Sequence, residues 1–429
     1  MKRLTVKKLL ALLIVGILML SIVGCSGGNQ KSSADENKPV TIRFSFDQGV
    51  GKPTQKIVDK YNASQNKVHV ETVILPQDAN AVHDDFVNKL ASGDKSVDVM
   101  ALDVVYVAEF AAANWLEDLG KYFDKSTQSK YLPGTIEGAT YNGKLVAFPW
   151  FTNASVLFYR KDVLDQLGIQ PPTTYKGWMA LADKVKGVNG VKYVSNFQAA
   201  QSEALVCNWV EYVWNNGGNV LNGKGAPVVN SENNVEATKT MLDLVKNYSP
   251  EGITTYKEPE SEQVFLDGKS LFIRDWSGFW NTFNADGSKV AGKVGVTSLP
   301  IGANGQDPHS ALGGLDLVIN KAIDDEHKAA AADFLKYMAS AETQKDMTLT
   351  AAQPPVLKSV YEDADVLNAI PFYKEFYGII EGGKSRPMSP KYAKVSDAIQ
   401  RNIHKALTGE VEVKAALDQL QKELKELSK

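Results

Sequence analysis

Residues 40–46 read Val40-Thr41-Ile42-Arg43-Phe44-Ser45-Phe46, with apolar side chains at alternate positions, the period of a half-buried strand. A polar loop with Gly49 and Gly51 follows, and PTQKIVDKYNASQ then puts Ile57, Val58 and Tyr61 on one helical face. A second strand falls at 67–74 (KVHVETVI) and a second helix at 81–91. A third strand, apolar enough for burial on both faces, falls at 97–103 (VDVMALD). Strands alternating with helices at this spacing build βαβ units, so the chain opens as an α/β fold with a parallel sheet.

The helical period recurs downstream. VYVAEFAAANWLEDL predicts a helix ending near Gly120, and others are expected at 163–167, 177–186, 203–215, 235–248, 327–338, 341–348 and 395–407. Val413, Leu417, Leu420, Leu424 and Leu427 form the apolar face of a last helix that docks on a core. A chain of 429 residues exceeds one typical core, which predicts two lobes. Hydrophobic content of 44% with 23% charge fits a globular protein, and a net charge of −3 gives no reason to expect a nucleic acid partner.

The N-terminus sets the address. Lys2, Arg3, Lys7 and Lys8 precede an apolar run at 9–23, which ends in Ile22-Val23-Gly24-Cys25. A basic segment, an apolar segment and a small residue at the cut site make a secretory signal, assigned to 1–24. Cysteine directly after the small residue resembles a bacterial lipobox, which implies that Cys25 carries diacylglycerol and becomes the mature N-terminus. Residues 25–38, rich in Ser, Gly and Lys, read as a flexible tether. The rival is a retained membrane span, for which the run is short of the ~20 residues needed. The expectation is an extracytoplasmic protein held to the cell membrane by lipid. With Cys25 so used, Cys207 has no partner, and its place in EALVCNWVEYVW predicts a buried, inert thiol.

Much chemistry is missing. His69, His83, His309, His327 and His404 are scattered, with no metal-ligand spacing, so neither metal nor cofactor is expected. Glu258, Glu260 and Glu262 read as a solvated face rather than an acid/base pair. Gly378 to Ser385 match the G-x-x-x-x-G-K-[ST] phosphate loop, but Pro387 and Pro390 follow where its helix should begin. No catalytic motif stands out, although a glycosidase's carboxylate pair need not be close in sequence.

What remains is a set of aromatics, amides, carboxylates and glycines at loop positions between sheet elements, where open α/β sheets bind ligands. Asp103 ends a strand. Trp150, Phe151 and Asn153 sit in AFPWFTNAS before the strand VLFYRKD. Trp276 follows SLFIRD, and Gly313-Gly314 precede LDLVIN. Flat rings beside directed polar groups suit a neutral polyhydroxylated ligand better than an amino acid, metal or peptide.

These residues carry a family resemblance. FPWFTNASVLFYRKDVLDQLGIQPPTTYKGW, SEALVCNWVEYVWNNGGNVL, SLFIRDWSGFWNTFNADGSKVAGKVGVTSLP, SALGGLDLVIN and SRPMSPKYAKVSDAIQ resemble the extracellular solute-binding proteins of bacterial carbohydrate ABC importers. The closer likeness is to the trehalose/maltose-binding subgroup. The resemblance implies two α/β lobes, each a mostly parallel sheet flanked by helices, joined by a hinge of several crossings. Lobe 1 would hold 39–151 and 315–378, and lobe 2 would hold 152–314 and 379–429. It implies a monomer that closes on sugar and delivers it to permease subunits, without catalysis. It also implies ligand-binding roles for Asp103, Trp150, Asn153, Glu203, Trp276, Gly313, Gly314 and Arg386. Each has a plainer reading as well. Asp103 could cap the next helix. Glu203 could complement a helix dipole. Arg386 could pair with a surface carboxylate, Trp276 could be core, and the glycines could mark a turn. Leu315 stands where related sequences carry Trp, which leaves the sugar open. The alternatives from other classes are a surface glycoside-processing lipoprotein and a sugar-presenting component of a membrane sensor.

Overall fold

The computed structural model describes residues 38–428 apart from positions 224 and 388, and Val40–Lys429 form one compact unit. The proposed signal, Cys25 and nearly all of the tether lie outside the described residues. Among the described residues, no helix is long and apolar enough to cross a membrane.

The first strands form as their alternation predicts. They are β1 (Val40–Asp47), β2 (Val68–Leu75) and β3 (Val99–Asp103), separated by α1 (Gly51–Ser64) and α2 (Ala79–Ala91). β2 and β3 flank β1, both parallel to it. A short helix, α3 (Val107–Ala112), follows β3. The helix expected to run on to Gly120 stops there. Asn114 takes a left-handed conformation (φ 61°), which Asn tolerates better than most residues. Glu117 N–H then bonds to Ile319 at the sheet edge.

Next comes β4 (Phe148–Arg160), thirteen residues and roughly 40 Å long. AFPWFTNAS is therefore not a loop before a strand: Phe148 to Ser155 are the first half of that strand. Pro149 is accommodated at a register shift between Pro149 and Phe151, as proline in a sheet requires. The chain continues through α4 (Glu203–Asn215), α5 (Glu232–Asn247), α6 (Glu258–Leu266), β5 (Phe272–Trp276), β6 (Val294–Thr297) and β7 (Ala311–Ile319). The helix expected at 177–186 is two short pieces, Tyr175–Met179 and Ala182–Val185.

The sheet is mixed rather than mostly parallel. Its order is β2-β1-β3-β7-β4-β5, with β6 on β4. β7 runs antiparallel to both β3 and β4, and β4 antiparallel to β5 and β6. The parallel reading came from the βαβ start, and it holds only there. β4 pairs with β7 along its first half and with β5 and β6 along its second, so it links the two lobes. The buried apolar residues form two clusters, the first of which runs on past β4 to Phe265, Ile273 and Phe283. One gathers β1–β3, α1, α7 (Asp325–Met338) and α8 (Ala341–Ala351). The other gathers α4, α5, α10 (Tyr392–Leu407) and α11 (Val413–Leu427), the last burying Val413, Leu417, Leu420 and Leu424 as its spacing predicts.

The phosphate-loop look-alike has the wrong geometry. Gly378 lies inside α9 (Tyr373–Glu381), Lys384-Ser385 form the two-residue strand β8 on β7, and the next helix begins only at Tyr392. Among the described residues no helix begins at that Lys-Ser pair.

Candidate ligand-binding cleft

A cavity of about 150 Å³ opens where the carboxyl ends of β1 and β3 meet the middle of β4 and β7 and the end of β5. Six of the eight residues proposed from sequence line it: Asp103, Asn153, Trp276, Gly313, Gly314 and Arg386. Their places follow from register, since Gly314 sits opposite Thr152, Gly313 opposite Asn153, and Trp276 opposite Ser155.

Two glycines make room. A Cβ on Gly313 would lie 3.1 Å from the Trp276 ring, so the bare backbone lets that ring lie close across β7. Gly314 has φ 131°, and a Cβ there would come within 2.4 Å of the Phe151 carbonyl oxygen, which reserves the site for glycine. Behind the ring, the Arg274 guanidinium lies 4.5 Å from its centre. Arg274 is fixed in turn by Glu211 on α4, through Nε to Oε2 at 2.8 Å and Nη2 to Oε1 at 2.5 Å. Glu211 Oε1 also accepts from Ser155 Oγ and Ala311 N–H. Trp276 is therefore a supported face at the cleft.

Asp103 holds two places at once. Its Oδ1 accepts from Val105 N–H, which caps the turn after β3, and from Arg386 Nη2 at 3.1 Å. Arg386 Nη1 meets Glu203 Oε1 at 2.7 Å. Glu203 also accepts hydroxyls from Tyr392, at 2.5 Å, and from Ser396. Burial pushes the Glu203 carboxyl up, and the guanidinium and both hydroxyls oppose that rise. Asn153 bridges Ser277 Oγ (2.7 Å) and the Gln353 side chain (3.5 Å).

Two sequence expectations need correction. Trp150 does not line the cleft: at 1% exposure it is core, packed edge-on against Phe44 and Phe151. Alternation along β4 turns it away from the face Asn153 shares. Glu203 is 3% exposed and lies behind Arg386, outside the cavity lining. The surface-pair reading of Arg386 fails as well, since it is 2% exposed.

Other lining residues were missed. Asp47 ends β1 as Asp103 ends β3, so the same strand-end rule would have found it. Glu258 was placed on a solvated face, yet it lines the cleft, and burial lifts its carboxyl to about 7. Of the other two glutamates, Glu260 is exposed and Glu262 is buried. Burial first, and then the Asp275 charge, raise the Glu262 carboxyl, while burial and the Glu258 charge raise Asp275. Gln353 had no signal, because it follows Ala352 in a left-handed conformation (φ 53°) that no pattern announces. Among the described residues no His/Cys/Asp/Glu group is placed to hold a metal.

A two-lobed sheet protein with a lined cleft at its strand crossings belongs to the class of solute-binding proteins. The chain belongs to the family of bacterial extracellular solute-binding proteins, whose match spans residues 47–345. It is a binding protein, not an enzyme. It is 31% identical over 388 residues to a probable ABC transporter-binding protein of Deinococcus radiodurans, covering 88% of this chain and 91% of that one. The maltose-bound structure of T. maritima MalE3 superposes with a TM-score of 0.87 at 36% identity, covering 90% of this chain and all of that one. The sn-glycerol-3-phosphate-binding periplasmic protein UgpB of Rhizobium meliloti is 24% identical over 399 residues, 85% of this chain and 87% of that one.

Proposed function

We propose that this chain is the lipid-anchored sugar-binding component of an ABC importer. It captures a neutral mono- to oligosaccharide between its lobes and presents it to the permease as a monomer. An α-linked disaccharide such as trehalose or maltose is favoured. The observation that carries the reading is the Trp276 ring held close to Gly313, in a cleft that Asp103 and Asn153 also line. A ring face covers the apolar C–H side of a sugar while carboxylate and amide take its hydroxyls. The maltose bound by T. maritima MalE3 and the transporter for which the Deinococcus relative is named agree with it. The division into lobe 1 (39–151, 315–378) and lobe 2 (152–314, 379–429) is part of the same reading, supported by the change of partners along β4 from β7 to β5 and β6.

Thermal-shift and calorimetric titration against trehalose, maltose, sucrose, longer α-glucosides and monosaccharides tests it. A ligand at a hundred times its Kd stabilises by ~2.7 kcal/mol. No response across the panel, with heat from an amino acid or a metal instead, overturns it. The anchor rests on the sequence around Cys25. Cys25→Ser is expected to leave unprocessed or released protein, and lipid-dependent membrane attachment of that variant overturns the anchor alone.

A further inference from the structure

Among the described residues, the cleft lining contains one arginine and no lysine, against the carboxylates of Asp47, Asp78, Asp103 and Glu258. Asp78 is paired with Lys257. The arginine is already engaged. Arg386 gives Nη1 to Glu203 and Nη2 to Asp103, and its side chain is 1% exposed. Its Nε is buried and has no hydrogen-bond partner among the described residues. A phosphate ester is recognised by a free guanidinium fork or an uncompensated positive charge, through paired charge-assisted hydrogen bonds. This arginine offers neither: each Nη is tied to a carboxylate, and those two carboxylates balance the charge.

We propose that the Glu203–Arg386–Asp103 relay sets the charge selectivity of the cleft, so that it takes uncharged polyhydroxylated ligands and rejects their phosphate esters. Glu203 is then a specificity-determining positioning residue that acts through Arg386 without lining the cavity. Three donors converge on the Glu203 carboxylate, two of them hydroxyls from the single helix α10, and they oppose the rise that burial imposes. The other end of the relay fixes one oxygen of Asp103.

The inference rests on the sugar-binding reading, and one experiment separates the two. Affinities for maltose, trehalose and sn-glycerol 3-phosphate are measured by calorimetry on the wild type and on Glu203→Gln, with circular dichroism to confirm folding. The wild type is expected to bind at least one neutral sugar and to bind sn-glycerol 3-phosphate at least a hundredfold more weakly. Glu203→Gln removes one of the two carboxylates that face the guanidinium and leaves Asp103, and it is expected to narrow that gap by tenfold or more. A merely structural role would weaken both ligands and leave the ratio unchanged. A folded Glu203→Gln with an unchanged ratio overturns the relay and leaves the sugar reading standing. A wild type that binds no sugar overturns the sugar reading. If Glu203→Gln does not fold, the wild type decides: sn-glycerol 3-phosphate binding within tenfold of the best sugar overturns the proposal.

Discussion

Helix α4 carries two glutamates eight residues apart, and each neutralises a buried arginine that serves the cleft. The two pairs do different work. Glu211 grips Arg274 through two parallel bonds and also ties in β4 and β7, so the pair is a structural joint whose outer face supports the Trp276 ring. Glu203 meets Arg386 through one nitrogen, and the arginine passes the contact on to Asp103 in the cleft. One pair positions an apolar surface, and the other a hydrogen-bond acceptor. The same ionic chemistry on one helix face thus supports the two halves of sugar recognition.

The largest expected effect comes from breaking the structural joint. Glu211→Ala leaves the Arg274 charge buried and unpaired, which costs about 3–5 kcal/mol. Urea denaturation should show a much lower midpoint for it than for Asp103→Ala. Equal midpoints would mean that the pair is not the joint described.

The next effect separates the two surfaces. A hydrogen bond to a charged group is worth about 1.5–3 kcal/mol, so Asp103→Ala should lower affinity roughly ten- to a hundredfold. That loss should fall on the epimers whose hydroxyl it holds. Trp276→Ala should weaken every sugar, because a ring reads C–H faces rather than one hydroxyl. If the two variants show the same profile across a sugar panel, the division of labour is wrong.

Carboxyls without an arginine sharpen the contrast from the other side. Burial lifts Glu258 to about 7 and Asp316 to about 8, and raises Glu262 and Asp275 as well. The folded state therefore keeps protons that the unfolded chain would release. The stability they contribute is complete below the ordinary carboxyl range near ~4 and is lost as pH rises through the folded values. The urea midpoint should fall between pH 5.5 and pH 8.5. A midpoint that rises over that interval would show that these groups ionise without penalty.

The smallest effect isolates the ring support. Replacing the joint by apolar groups, as Arg274→Met with Glu211→Leu, should recover part of the stability that Glu211→Ala loses, because no buried charge is left unpaired, although Ser155 Oγ and Ala311 N–H lose their shared acceptor. Sugar affinity should still drop about two- to fivefold, the worth of an exposed cation–π contact near ~0.5–1 kcal/mol. An unchanged affinity would show that Trp276 does not need its arginine.

What the sequence made legible follows from the range of each signal. β1, β2, β3, α4 and α11 obey local periods, and their bounds fall within a residue or two of those expected. β4 was misread because Pro149 and Asn153 look like loop residues, and only pairing with β7 shows them inside a strand. Trp150 and Trp276 both read as aromatics beside a strand, and it is strand parity and a glycine on another strand that divide core from cleft. The carboxylates at 258 and 262 look solvated until the tertiary fold carries α6 against β5, and Gln353 reaches the cleft from a loop with no local signature.

The contact between Asp103 and Arg386 joins residues 283 positions apart. At ribosomal speeds of roughly 5–20 residues per second, the strand bearing the acceptor is made on the order of fifteen seconds to a minute before its arginine. For most of that interval β3 also lacks its neighbour β7, which ends at Ile319, and the nascent chain holds unpaired strand edges with no finished pocket. Ligand cannot act as a template for the early steps of folding, and it can stabilise only a chain that is nearly whole. Truncations that remove the last two helices and the segment before them should therefore abolish capture outright rather than weaken it by degrees.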